Sequence, residues 1–248
     1  MGAYSLIDAH CHLESFKKHT LDSLPADILP VTSGYSHSSN MKNYEIASGL
    51  GIPYSLGIAP QTALKEGTAE LDSWVSFIES ASPNAIGECG LDFHWGKTQE
   101  EHELEEAVFL RMISLARKMG LPLVLHSRKA ETACLDVLER EGWEGGFMMH
   151  FFSGTLEEAQ RAVEMGGIIS IVSLHSKNRK KVIADIPLEK LVVETDAPYV
   201  HRNIDGVIEA VKYISEVKGV SEEEVGRATV ENARGFFGIR VGIKTDSF

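Results

Sequence analysis

The sequence predicts an α/β fold, a (β/α)8 barrel with an additional C-terminal helix. Eight short apolar runs rich in β-branched residues alternate with helix-like segments. The alternation fills 248 residues, the length such a barrel needs. Several runs end in His, Glu or Asp, where the strands of a barrel collect its chemistry. An open doubly wound sheet is the nearest alternative, but no Gly-x-Gly-x-x-Gly follows the first run. No linker, repeat or low-complexity stretch divides the chain, so residues 1–248 are expected to form one domain.

Taken in order, residues 4–7 open the first strand and lead into Asp8-Ala-His10-Cys-His12. Residues 27–32 read as the second strand, ending at Ser33 and Gly34, and 38–50 as a helix closed by Gly49 and Gly51. A third strand is expected over 53–58, then a helix over 68–80 with Trp74, Phe77 and Ile78 on one side, then a fourth strand over 84–88. The longest helix, 99–119, carries Leu104, Val108, Phe109, Met112, Leu115 and Ala116 at helical spacing, and Gly120 stands where a C-terminal cap belongs. Strands at 121–126 and 146–150 flank a helix over 129–141. An acidic helix after Thr155 closes at Gly166 and Gly167, and strands at 167–172 and 190–195 follow, with a basic segment between them. Helices over 204–217 and 221–237 finish the pattern, the second opening on an N-cap signature at Ser221.

Bulk properties narrow the function classes. A 43% hydrophobic content suffices for a sizeable core. No apolar stretch approaches the roughly 20 residues that span a bilayer, and no basic segment with an apolar signal core begins the chain. A soluble, cytoplasmic protein without a membrane or protein partner is expected. Cys11, Cys89 and Cys134 are odd in number and lack metal-knuckle spacing, which argues against a disulfide framework. A net charge of −12 excludes a protein that coats nucleic acid non-specifically.

The chemistry lies in the polar residues at the ends of runs. In a strand, Asp8, His10 and His12 project to one side, so two imidazoles can grip one metal ion. Glu88, His126, His150 and Asp196 recur at the ends of later runs. Together these are more donors than one catalytic ion needs, since such a site uses about three protein ligands and a water. Two ions fit better, with Glu88 on a middle strand as the bridge. A structural zinc would have a closed shell rich in cysteine, which argues against a binding module holding a non-catalytic ion. Zn, Mg, Mn, Ni or Fe would suit the set; the residues do not choose among them.

These residues stand in motifs that resemble the TatD-like metal-dependent hydrolases of the amidohydrolase superfamily. The resemblance rests on Asp8 to His12, Gly87-Glu-Cys-Gly-Leu-Asp92, Leu125-His-Ser-Arg128, His150-Phe-Phe-Ser-Gly154 and Glu194-Thr-Asp-Ala-Pro198, with Asn232 and Phe237 near the end. It implies a dinuclear site in which His10, His12 and Asp196 hold one ion, His126 and His150 the other, and Glu88 bridges them. It further implies a deoxyribonuclease, often acting on DNA ends, with Asp196 as general base on a metal-activated water. Two departures bear on substrate: Glu105 stands where the family commonly has Gln, and the segment after Pro198 is shorter than the family's usual Arg-Gly-Lys loop. Hydrolysis of a small ester, amide or lactone is therefore the alternative to DNA or another phosphodiester.

Residues expected around the substrate are Arg128, a forked phosphate donor two residues after His126; Lys177 and Arg179 in a basic island after the seventh strand; and His201 and Arg202 beyond the eighth. Asp92 is expected to orient a ligand histidine, with His94 on the same loop, and Asp8 to support the site from below.

Overall fold

The computed structural model describes residues 4–240. Eight strands, β1 (Leu6–Cys11), β2 (Ile28–Ser33), β3 (Tyr54–Leu56), β4 (Ala85–Asp92), β5 (Leu123–Arg128), β6 (Phe147–Met149), β7 (Ile168–Ile171) and β8 (Leu191–Val193), pair in sequence order. Every pairing is parallel. The strands form a nearly closed (β/α)8 barrel. The segment after β8 closes it against β1, through Asp196 N–H to His10 O at 3.0 Å and His12 N–H to Ala197 O at 2.7 Å.

The helices are α1 (Lys18–Leu21), α2 (His37–Leu50), α3 (Pro60–Glu66), α4 (Leu71–Ala81), α5 (Gln99–Met119), α6 (Glu131–Arg140), α7 (Leu156–Glu164), α8 (Lys177–Asp185), α9 (Val207–Lys218) and α10 (Glu222–Phe237). Their starts follow local chemistry. Thr98 and Glu101 close a reciprocal capping box on α5, Thr155 and Glu158 do the same on α7, and Ser36, Ser176 and Ser221 cap α2, α8 and α10. The apolar faces cover the outer side of the strands, and Leu29, Ile86, Leu125, Phe109, Met112 and Ile169 are fully buried. Among the described residues no helix is long and apolar enough to cross a membrane.

Three details differ from the sequence reading. The span 53–80 contains two helices, because Pro60 opens α3 at a first-turn position where its missing N–H costs nothing; the later helix begins only at Leu71. The basic segment between β7 and β8 is itself a helix, α8. β4 continues four residues past Glu88, pairing with β5 as far as Asp92 opposite Arg128. Glycines permit that close pairing: a Cβ on Gly87 would collide with Val124 O, and one on Gly90 with His126 O. Glu88 is thus held within a fully buried strand, and Asp92, expected on the loop that follows, is the last residue of that strand.

Candidate metal centre

At the C-terminal ends of the strands, β1 delivers His10, β4 Glu88 and β5 His126, while His12 follows β1, His150 follows β6 and Asp196 follows β8. Asp196 takes a left-handed conformation, φ +49°, which Asp tolerates; the N–H groups of Tyr199 and Val200 bond back to its carbonyl at 2.9 and 3.1 Å. The six sequence-expected residues come together in one buried cluster.

Each imidazole has one nitrogen tied to an outer partner. His12 Nδ1 donates to Ser33 O at 2.9 Å, His150 Nδ1 to Glu194 Oε1 at 3.3 Å and His126 Nε2 to Asp92 Oδ2 at 2.8 Å, while His10 Nδ1 pairs with Ser33 Oγ at 3.1 Å. The carbonyl and carboxylate partners fix the outer N–H of His12, His126 and His150. The remaining four nitrogens turn inward to the carboxylates, which is how outer partners prepare histidines to bind a cation.

Glu88 divides its two oxygens between the two halves of the cluster. Oε1 lies 2.6 Å from His126 Nδ1 and 3.4 Å from His150 Nε2, whereas Oε2 lies 3.9 Å from both His10 Nε2 and His12 Nε2. Asp196 Oδ1 stands 3.2 Å from His12 Nε2 and 3.9 Å from His10 Nε2. Two groups therefore converge, His10–His12–Glu88 and Glu88–His126–His150, each with donor atoms within 4.8 Å of one another. A third convergence, His10–His150–Glu194, has its carboxylate on the outer nitrogen of His150 and reads as that histidine's support.

The electrostatics are those of a site made for positive charge. Burial pulls His12 down, but the Asp196 hydrogen bond and charge, with Glu88 and Glu14 behind them, outweigh it and lift the imidazole to about 9. Burial also opposes charge at His126 and His150, yet their carboxylate partners raise both. Burial pushes Glu88 up, and the bonds from His126 and His150 carry it well below the usual range. His10 has burial and its neighbouring imidazoles against it and stays low. A cation binding the inward nitrogens would compete with the protons that the carboxylates favour on His12, His126 and His150. The donor set fits divalent ions of the kind that imidazole with carboxylate holds.

Above the cluster opens a cavity of about 810 Å³, lined on one side by Tyr35, Ser36 and Tyr199 and on the other by Lys65, Trp95 and Arg128. Of the expected substrate residues, only Arg128 lines it. Arg179 is buried, its guanidinium donating to Phe152 O at 3.0 Å and to Leu174 O, so it braces the loops after β6 and β7 and does not face the cavity. His201 Nε2 is bound to Ser173 Oγ at 2.8 Å, and neither it, Lys177 nor Arg202 lines the cavity. The basic island thus belongs to the opening turn of α8, where its spacing brings Arg179 inward.

Asp92 holds His126 as described, and its other oxygen accepts the N–H groups of His94 and Trp95 at 2.9 and 3.1 Å. Asp8 does not reach the cavity. Its carboxylate accepts Thr195 N–H at 3.0 Å and the Thr195 hydroxyl, joining the closing segment to β1. Sequence reasoning missed Glu194, Ser33 and Gln61. Glu194 stands inside the Glu194–Pro198 motif, which is a signal, but nothing in the chain pairs it with His150. Gln61, whose amide donates to Asp92 Oδ2 at 2.8 Å, sits on α3, a helix the pattern did not reveal. The three cysteines are buried and free.

A parallel barrel whose strand ends gather histidines and carboxylates under an open cavity has the framework of a metal-dependent enzyme, and comparison with known proteins makes the class a metal-dependent hydrolase. Residues 7–238 match the model of the family described as TatD related DNase. Over 256 residues the chain is 29% identical to "Uncharacterized metal-dependent hydrolase YabD" of Bacillus subtilis, covering 94% of this chain and 99% of that protein. It is also 29% identical to "Deoxyribonuclease TATDN3" of Homo sapiens, covering 94% of each. Among solved structures, a TatD family hydrolase from Entamoeba histolytica superposes with a TM-score of 0.82 at 18% identity, covering 95% of this chain and 99% of that one. The TatD homolog YJJV from Escherichia coli does so with 0.82 at 22%, with the same coverage. The chain belongs to the TatD related DNase family.

Proposed function

We propose that the protein is a dinuclear metal-dependent phosphodiesterase acting on DNA. The observation that carries this reading is the division of Glu88, with Oε1 toward His126 and His150 and Oε2 toward His10 and His12. One carboxylate shared in this way suits two ions, His10, His12 and Asp196 holding the first and His126 and His150 the second. The DNA reading is supported by the human relative's being a deoxyribonuclease by name and by Arg128 and Lys65 lining the cavity.

Two divalent ions held there would polarise the phosphodiester and lower the pKa of the attacking water. Asp196, the carboxylate of the cluster nearest the His12 ring and open to the cavity, would take the proton that the water gives up as it attacks phosphorus and pass it to the leaving alkoxide as the scissile P–O bond breaks. Arg128 and Lys65 bind the charged phosphate oxygens, Arg128 with a planar fork. Ser33, Glu194 and Asp92 keep the imidazoles of His12, His150 and His126 in one tautomer through turnover.

The test is to strip the protein with a chelator, restore Zn, Mg, Mn, Ni or Fe singly, and measure bound metal by mass spectrometry alongside hydrolysis of single- and double-stranded DNA. Two ions per chain with nucleotide release are expected. Turnover of small esters, amides or lactones with no release from DNA under any metal would replace this reading by that of a small-ester hydrolase.

A further inference from the structure

Arg179 stands where simple electrostatics would not leave a cation. It lies in the first turn of α8, a turn with no acidic residue, so its charge sits at the helix end that disfavours it. Arg179 is 7% exposed, and its Nε is buried without a partner. Among the described residues the arginines paired with carboxylates are Arg111, Arg140, Arg161 and Arg234, and Arg179 is not one of them. Burial lowers its guanidinium, against the charges of Tyr213 and Glu194, which raise it. A buried cation without a contacting carboxylate is costly, and a residue that breaks such a rule marks a place where the fold is held for function.

What the guanidinium holds is the turn that carries His150. One terminal nitrogen donates to Phe152 O at 3.0 Å and the other to Leu174 O, so a single planar fork ties the loop after β6 to the loop after β7. Its central carbon lies 5.8 Å from the centroid of the Phe151 ring. Phe151 itself takes φ +46°, a left-handed conformation that a bulky residue adopts only when its surroundings impose it. That conformation aims Phe151 N–H at Glu194 Oε1, 2.6 Å away, the same oxygen that accepts His150 Nδ1–H at 3.3 Å. Glu194 thus fixes the start of the turn and Arg179 its end. With both in place, His150 Nε2 faces Glu88 Oε1 at 3.4 Å.

We propose that Arg179 is a positioning residue of the metal centre: by clamping Phe152 O and the Phe151 turn it holds His150 on Glu194, and so sets the geometry and affinity of the ion held by His126, His150 and Glu88. Arg179 touches neither that ion nor the substrate. The proposal rests on the dinuclear reading and adds an asymmetry to it, because the clamp acts on this ion more than on the one at His10, His12 and Asp196.

The test reads metal binding without turnover. Protein stripped with a chelator is titrated with Co²⁺ against a chromogenic competitor, and the visible d–d absorption reports ligand geometry. His126→Ala identifies which of the two binding steps belongs to the His126–His150 ion. Arg179→Met keeps the apolar stem and removes the fork; it should weaken that step about tenfold, the lower end of the loss when a group orienting a ligand histidine is removed, and alter its absorption. The other step should move less than about threefold. Arg179→Lys keeps the charge but cannot fork to two carbonyl groups, and should fall between Arg179→Met and the parent. Glu194→Gln loosens the same turn, so the combined loss in the double variant with Arg179→Met should be smaller than the two single losses added as free energies. Thermal melts of the stripped proteins establish folding, and if Arg179→Met does not melt cooperatively, Arg179→Lys carries the test with an expected loss of about threefold in the same step. Both steps unchanged, both weakened alike, or strictly additive losses overturn the proposal and leave Arg179 a brace of the fold. A single ion per chain in the parent overturns the dinuclear reading, whereas two ions with an indifferent Arg179 overturn the clamp alone.

Discussion

Asp92 Oδ2 stands 2.8 Å from His126 Nε2, and through this contact one buried carboxylate connects the metal centre to the rim of the cavity. Its second oxygen holds the backbone of His94 and Trp95, so the tautomer of His126 and the placement of the Trp95 backbone depend on the same side chain.

Asp92→Asn should therefore damage metal binding before it damages the fold. An amide N–H₂ turned toward His126 Nε2 and the Gln61 amide would set donor against donor. A loss of about 10- to 100-fold in metal affinity is expected, measured by competition with a chromogenic chelator. Unaltered affinity would mean that His126 needs no fixed tautomer.

Asp196→Asn separates binding from proton transfer. The amide keeps an oxygen for the first ion but cannot take a proton, so turnover on DNA should fall about 10²- to 10⁴-fold with metal content largely kept. Full activity in this variant would remove Asp196 as the base.

Thr195→Val tests how the barrel closes. The buried Asp8 carboxylate would lose the hydroxyl that reaches it across the β8–β1 seam, keeping the bonds from Thr195 N–H and His10 N–H. Burial pushes the Asp8 acid well above the usual carboxylate range, and Ala197 N–H would lose the same hydroxyl; leaving a buried polar group unpaired costs about 1–3 kcal/mol, and urea unfolding should show a loss of that order.

Glu105 gives a pH dependence with a definite sign. It is fully buried, its Oε2 accepts Asp92 N–H at 3.1 Å, and its Oε1 has no partner. Burial, with the Asp92 charge adding to it against that bond, pushes the acid up to about 7. Because the folded-state value is raised, the contribution of the neutral acid is fully present below the unfolded value near 4.5 and is lost as pH rises through about 7. Glu105→Gln, neutral at every pH, should raise the melting temperature more at pH 8 than at pH 5, by an amount equivalent to roughly 1–2 kcal/mol at the higher pH. An equal gain at both values would show that Glu105 ionises in the fold without cost.

The barrel was readable because its signals are local. Apolar runs, capping residues such as Thr98 and Ser221, and glycines at helix ends act within a few residues of themselves, so the order of eight strands follows from the chain alone. His10, His12, Glu88, His126, His150 and Asp196 were legible for a related reason: a parallel barrel sends every strand end to one face. Only the tertiary structure decided which atom meets which. That Asp8 joins Thr195, 187 residues away, that Glu194 supports His150 from 44 residues away, and that Glu88 splits its oxygens between two imidazole pairs depend on distances across the barrel mouth. The same holds for charge. Composition counts Arg179 and Arg128 alike, but burial against the carbonyl oxygens of Phe152 and Leu174 occupies the first, while the second lines the cavity with Trp95. A sequence carries the charge of a side chain; its partners and its access to water are properties of the packed chain.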